Sequence, residues 1–128
     1  MTKVLVVEDE KNLRTLYKAE LSKEGYEVVL AFDGQEALRL LPEENPDLVI
    51  LDVRMPGIDG LETMGRMLSR DNRLPIILNT AFSAYRESFL SWAADAYVIK
   101  SSDLTELKSK IKQVLADRAA GVKRPIAQ

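Results

Sequence analysis

Glu8, Asp9 and Glu10 follow directly on the apolar run Lys3–Val7, and Asp52 follows directly on Leu48–Leu51. Carboxylates gathered at the ends of buried strands repel one another unless a proton or a cation offsets the repulsion. Hard divalent cations with oxygen ligands, Mg2+ above all, suit such a cluster. Thr80 comes after the apolar run Ile76–Leu78, and Lys100 closes Tyr97–Ile99. Carboxylates, a hydroxyl and an ammonium on one edge of a sheet would form a site for a metal-assisted phosphoryl group.

The elements that must position these groups are legible in the alternation of apolar runs and amphipathic stretches. Lys3–Val7 is apolar and β-branched, as in a strand buried on both faces. Leu13, Leu16, Tyr17 and Leu21 repeat at helical spacing, with Gly25 as the stop. Glu27–Ala31 reads as a second strand. Asp33 with Glu36 gives a capping-box pattern for a helix through Leu41, which Pro42 is expected to end. Asp47–Leu51 is the third strand, and Leu61, Met64 and Leu68 mark a third helix capped by Asp59 and Glu62. Pro75–Leu78 and Ala96–Ile99 are the fourth and fifth strands, separated by a weaker helix over Ser83–Trp92. Leu104, Leu107, Ile111, Val114 and Leu115 form the clearest helical stripe, with Asp103 and Glu106 as its capping box.

Five strands alternating with five helices imply right-handed crossovers and a parallel sheet covered on both faces. Ligands of such sheets bind outside the carboxyl ends of the strands. Glu8, Asp9, Asp52, Thr80 and Lys100 all fall at that edge, so four of the five strand ends converge.

Composition narrows the chemistry. The 128 residues suffice for one domain, with 46% hydrophobic and 30% charged residues. A net charge of -2 argues against direct nucleic-acid binding. There is no cysteine and no histidine, which removes thiolate metal sites, His-based acid–base catalysis and Ser-His or Cys-His nucleophiles. No apolar run approaches the roughly 20 residues that span a bilayer, and a cytoplasmic location is expected. Residues 1–120 read as one domain and 121–128 as a flexible tail.

The chain resembles the receiver domain of two-component response regulators over about Thr2 to Arg118. The resemblance rests on Val6-Val7-Glu8-Asp9-Glu10, on the run from Asp47 through Asp52 to Met55-Pro56-Gly57-Ile58-Asp59-Gly60, on Thr80-Ala81 and on Tyr97-Val98-Ile99-Lys100. It implies a flavodoxin-like three-layer α/β sandwich with strand order 2-1-3-4-5 and five helices. It also implies roles. Asp52 would accept a phosphoryl group from a phosphohistidine on a histidine kinase or phosphotransfer protein. Glu8, Asp9 and Asp52 would hold Mg2+ with the backbone carbonyl of Arg54. Thr80 and Lys100 would contact phosphoryl oxygens, and Tyr97 would change rotamer to report the state. Such a domain promotes its own phosphorylation and dephosphorylation but is otherwise no enzyme. Its output would be binding, to a downstream protein or a fused output domain, and homodimerisation through the face of the fourth helix, fifth strand and fifth helix stays open.

Each residue alone has a plainer reading. Glu8 to Glu10 could be a solvated helix N-terminus, Asp52 a loop acid, Thr80 a helix cap, Lys100 a surface lysine and Tyr97 a half-buried strand aromatic. Ser101-Ser102 stands where receiver domains usually carry a proline and an aromatic, and a trans bond is expected after Lys100. That departure keeps a second function open: a receiver-like interaction scaffold that no longer switches. A small Mg2+-dependent phosphohydrolase would need a further acid or base that the strand ends do not supply.

Overall fold

The structure is a computed structural model that describes residues 1–53, 59–81 and 93–121. Five parallel strands, β1 (Lys3–Val7), β2 (Glu27–Ala31), β3 (Leu48–Leu51), β4 (Ile76–Thr80) and β5 (Ala96–Ile99), form one sheet in the order β2-β1-β3-β4-β5. Four helices lie among the described residues: α1 (Lys11–Lys23), α2 (Gly34–Glu44), α3 (Gly60–Arg70) and α4 (Thr105–Ala119). The helix expected over Ser83–Trp92 and most of the expected tail lie outside the described residues.

Side chains alternate along each strand and so build two cores. Leu5, Val7, Val49, Leu51, Ile76 and Leu78 pack under α2 and α3. Val4, Val6, Leu48, Ile50, Ile77 and Val98 pack under α1 and α4, where they meet Tyr17, Leu21, Leu107, Ile111 and Val114. Both faces of the central strands are therefore dry, which is why those runs are apolar throughout. No described helix is long and apolar enough to cross a membrane.

Local chemistry sets the helix ends. Glu24 and Gly25 close α1, with Gly25 at φ +92, a conformation that a side chain would strain. Asp33 caps α2 by accepting from the Glu36 N–H at 2.8 Å, and Asp59 caps α3 by accepting from the Glu62 N–H at 2.8 Å.

Three sequence expectations need correction. Pro42 does not end α2; the helix runs on to Glu44 and stops at Asn45, which adopts the left-handed conformation at φ 48. Proline at position 42 deprives the Leu38 carbonyl of its helical donor, and Arg70 Nη1 of α3 donates to that carbonyl instead, at 2.8 Å. β4 does not stop at Leu78 but includes Asn79 and Thr80, which pair with Val98 and Ile99. Asp103 forms no capping box with Glu106: α4 begins after Leu104, and Asp103 binds the Thr105 N–H at 2.9 Å, one residue too early.

Candidate functional site

β1 and β3 are neighbours in the sheet and end level with each other, Val7 pairing with Leu51. The next residues, Glu8 and Asp52, are thereby set side by side at the carboxyl edge. Glu8 is 1% exposed and Asp52 5% exposed, whereas Asp9 stands open to solvent. One carboxylate oxygen from each of Glu8, Asp9 and Asp52 lies within 4.8 Å of the others. Glu10 stays outside this cluster; its backbone N–H donates to Glu8 Oε2 at 3.1 Å.

Lys100 reaches into the cluster from the end of β5. Its Nζ lies 2.7 Å from Glu8 Oε1 and 2.7 Å from Asp52 Oδ2. Burial works to strip the charge from Lys100, but the hydrogen bonds to Asp52 and Glu8 and the attraction of both acids outweigh it. The ammonium is held above its usual range. Glu8 moves upward as well: burial dominates and the Asp52 charge adds to it, against the lowering effect of Lys100 and the Glu10 N–H. The pocket therefore resists carrying all its negative charge at once.

β4 supplies the remaining wall. Thr80 is fully buried at its end, and the Lys100 N–H donates to the Thr80 carbonyl at 2.8 Å, so the two residues share one backbone bridge. The peptide bond after Lys100 is trans. Tyr97 is half-buried against the core under α2 and α3. Arg54, expected to offer a backbone carbonyl, lies outside the described residues.

Three contributors went unread in the sequence. Arg14, one turn into α1, donates from Nη1 to the carbonyls of Glu8 at 2.8 Å and Asp9 at 2.9 Å, pinning the acidic loop. An arginine on the sheet-facing side of α1, one turn after the acids, was the available signal. Asn79, near the end of β4, donates from Nδ2 to the Tyr17 hydroxyl of α1 at 3.0 Å, in a buried contact. Burial pushes the Tyr17 phenol up, and Lys100, Glu8 and Asp52 are all near enough to act on it. Gly60, the first residue of α3, lies against the main chain of Asp52.

The donor set fits Mg2+. All three side chains offer oxygen, and a cation that takes ligands at about 2.0–2.1 Å places opposite oxygens about 4.2 Å apart. A divalent ion there would offset the repulsion between the acids and the incoming negative charge of a phosphoryl group.

Comparison with known proteins agrees with this geometry. The family model described as the response regulator receiver domain matches residues 4–112. The response regulator protein TrrA of Thermotoga maritima, solved in complex with Mg2+ and BeF, is 51% identical, with a TM-score of 0.86 over 89% of this chain and 99% of that one. TrrA solved in complex with the histidine kinase ThkA is also 51% identical, with a TM-score of 0.85 over 90% of this chain and 99% of that one. Among curated proteins, a probable transcriptional regulator of Guillardia theta, ycf27, is 44% identical over 115 residues, 88% of this chain and 45% of its own length. The chain spans about half the length of the curated relatives it matches.

Proposed function

The chain belongs to the response regulator receiver domain family, and from that premise we propose a phosphorylation-switched signalling module in which Asp52 takes the phosphoryl group. The donor is a phosphohistidine on a histidine kinase or phosphotransfer protein. A carboxylate oxygen of Asp52 forms the new O–P bond as the N–P bond to the donor breaks. Glu8, Asp9 and Asp52 would hold Mg2+, with the carbonyl of Arg54 as a further ligand, and the bound ion would supply positive charge against the phosphoryl oxygens. Lys100 turns from Asp52 to a phosphoryl oxygen, and Thr80 donates to another.

The supporting observation is the ammonium of Lys100 at 2.7 Å from both Glu8 and Asp52, inside a trio of carboxylates within 4.8 Å of one another. An acyl phosphate is a known class of covalent intermediate for a carboxylate, and the reaction asks for positioning and charge neutralisation more than for covalent help. Drawing Thr80 toward the phosphoryl group releases room for Tyr97, and the face that includes β5 and α4 changes as a two-state element. That face then binds a downstream protein, an output domain or a second copy of the chain. Residues 1–120 form this unit, and it works in the cytoplasm. It promotes gain and loss of its own phosphate and turns over no separate substrate.

The test is direct. The protein is incubated with Mg2+ and a small acyl phosphate and then weighed. A gain of one phosphoryl group that Asp52→Ala abolishes is expected. Ser101-Ser102, in place of the usual proline and aromatic, favours one competing reading, a scaffold that does not switch. Failure to form any adduct would decide for the scaffold.

A further inference from the structure

We propose that Tyr17 is a positioning residue for phosphoryl transfer, acting through its buried hydrogen bond to Asn79 on the strand end that carries Thr80. The inference rests on the phosphoacceptor reading above and adds a residue to it.

Two polar groups are buried where α1 crosses the sheet: Tyr17 is 2% exposed and Asn79 3% exposed. Their neighbours on that face, Val6, Ile50, Ile77 and Val98, are apolar. A hydrogen bond in such surroundings is strong, and losing one partner leaves the other unsatisfied. Asn79 is therefore held to one rotamer. It immediately precedes Thr80, and both residues are locked into the ladder with β5. Through the Lys100 N–H on the Thr80 carbonyl, the same strand end sets the height of Lys100.

α1 carries a second anchor on the same side. Arg14 and Tyr17 are three residues apart, so they share a helix face. Arg14 holds the carbonyls of Glu8 and Asp9, and Tyr17 holds Asn79. One rigid helix thus spans the acidic half of the pocket and the Thr80 half, and it fixes the separation between them. Reaction at Asp52 requires both halves at once, because the cation side and the hydroxyl side bind different oxygens of one phosphoryl group. Sub-ångström drift of Thr80 would leave metal binding intact and slow the chemistry.

The experiment measures the rate of adduct formation from a small acyl phosphate at saturating Mg2+, in a double-mutant cycle of Tyr17→Phe and Thr80→Ala. Tyr17→Phe is expected to slow the reaction about 3- to 10-fold, a partial loss of positioning, while Mg2+ affinity changes less than about twofold, since no ligand is touched. In the Thr80→Ala background the same substitution is expected to slow the reaction much less than in the wild type, because the hydroxyl it positions is gone. A purely structural role would instead lower thermal stability and leave the rate unchanged below the transition. The pair Tyr17→Phe with Asn79→Leu removes both polar partners, keeps the fold, and is expected to show the same slowed rate. Wild-type speed in either variant, or an equal slowing with and without Thr80, would overturn the proposal. A wild-type protein that forms no adduct would overturn the phosphoacceptor reading itself, and this inference with it.

Discussion

The Cα of Gly60 lies against the backbone of Asp52, so closely that an added Cβ would stand 2.0 Å from the Asp52 carbonyl oxygen and 2.6 Å from the Val53 Cα. The Gly60 N–H also donates to the Val53 carbonyl at 2.7 Å. The first turn of α3 is thus seated on the main chain of the proposed phosphoacceptor. Gly60→Ala has only backbone to push against. It is expected to destabilise the fold by about 1–3 kcal/mol, the usual cost of overpacking, and to slow adduct formation by displacing Asp52. A urea titration beside the acyl phosphate assay checks both; unchanged values in the two would show that the contact yields freely.

Lys100→Met would leave Glu8 and Asp52 facing each other without their shared ammonium. Removing one partner of a buried charge pair costs about 3–5 kcal/mol, and a loss near that size is expected at neutral pH. Protonation of Glu8 relieves the repulsion, so the deficit should shrink as the pH falls. Mg2+ should shrink it too, by binding the acids directly. Denaturant midpoints taken with Mg2+ and with a chelator, across that pH range, test this; a deficit independent of both would contradict the account.

The sign of the pH effect at Glu8 follows from its upward shift. Its carboxyl sits above the ordinary value of 4.5, chiefly through burial. Between the ordinary value and the raised one, the folded state holds a proton that the unfolded chain has already lost. Glu8 contributes stability that is complete below the ordinary value and disappears as the pH climbs through the folded value. Mg2+ binds only the ionised form, so its affinity should fall as the pH drops through the same interval. Isothermal titration of Mg2+ at several pH values measures this directly. Glu8→Gln should flatten the dependence while weakening the binding.

Arg14→Met would release the carbonyls of Glu8 and Asp9 without emptying the space that the side chain fills. Groups that orient metal ligands typically matter about 10- to 100-fold in affinity, and a weakening of Mg2+ binding near the lower figure is expected, with only a small change in thermal stability. If the variant binds Mg2+ as the wild type does, the acidic loop is held by other contacts.

Much of this arrangement could be read without coordinates because strands buried on both faces leave a plain signature. Val4–Val7 and Leu48–Leu51 admit no polar residue, so the first carboxylate after each run marks its end. The signature fails where a strand ends on polar residues that are themselves buried. Asn79 and Thr80 look like loop, yet both are paired to β5, because Tyr17 satisfies the amide from another element. Pro42 misleads for a related reason. Its rule concerns a missing donor, and Arg70, 28 positions further along, supplies one. The ion pair of Lys100 with Glu8 also lay beyond the sequence, which assigned the two residues to different partners. Only the parallel register that levels β1 with β3 and links Lys100 to Thr80 brings all three charges into contact.

Once Glu8, Asp9 and Asp52 are all ionised, the Lys100 ammonium offsets one of their three negative charges and leaves two. Potassium or sodium, however abundant, would make up half of the shortfall. Ion valence is therefore weighed before ion radius comes into play, and the lysine supplies part of the discrimination by having already claimed the first unit.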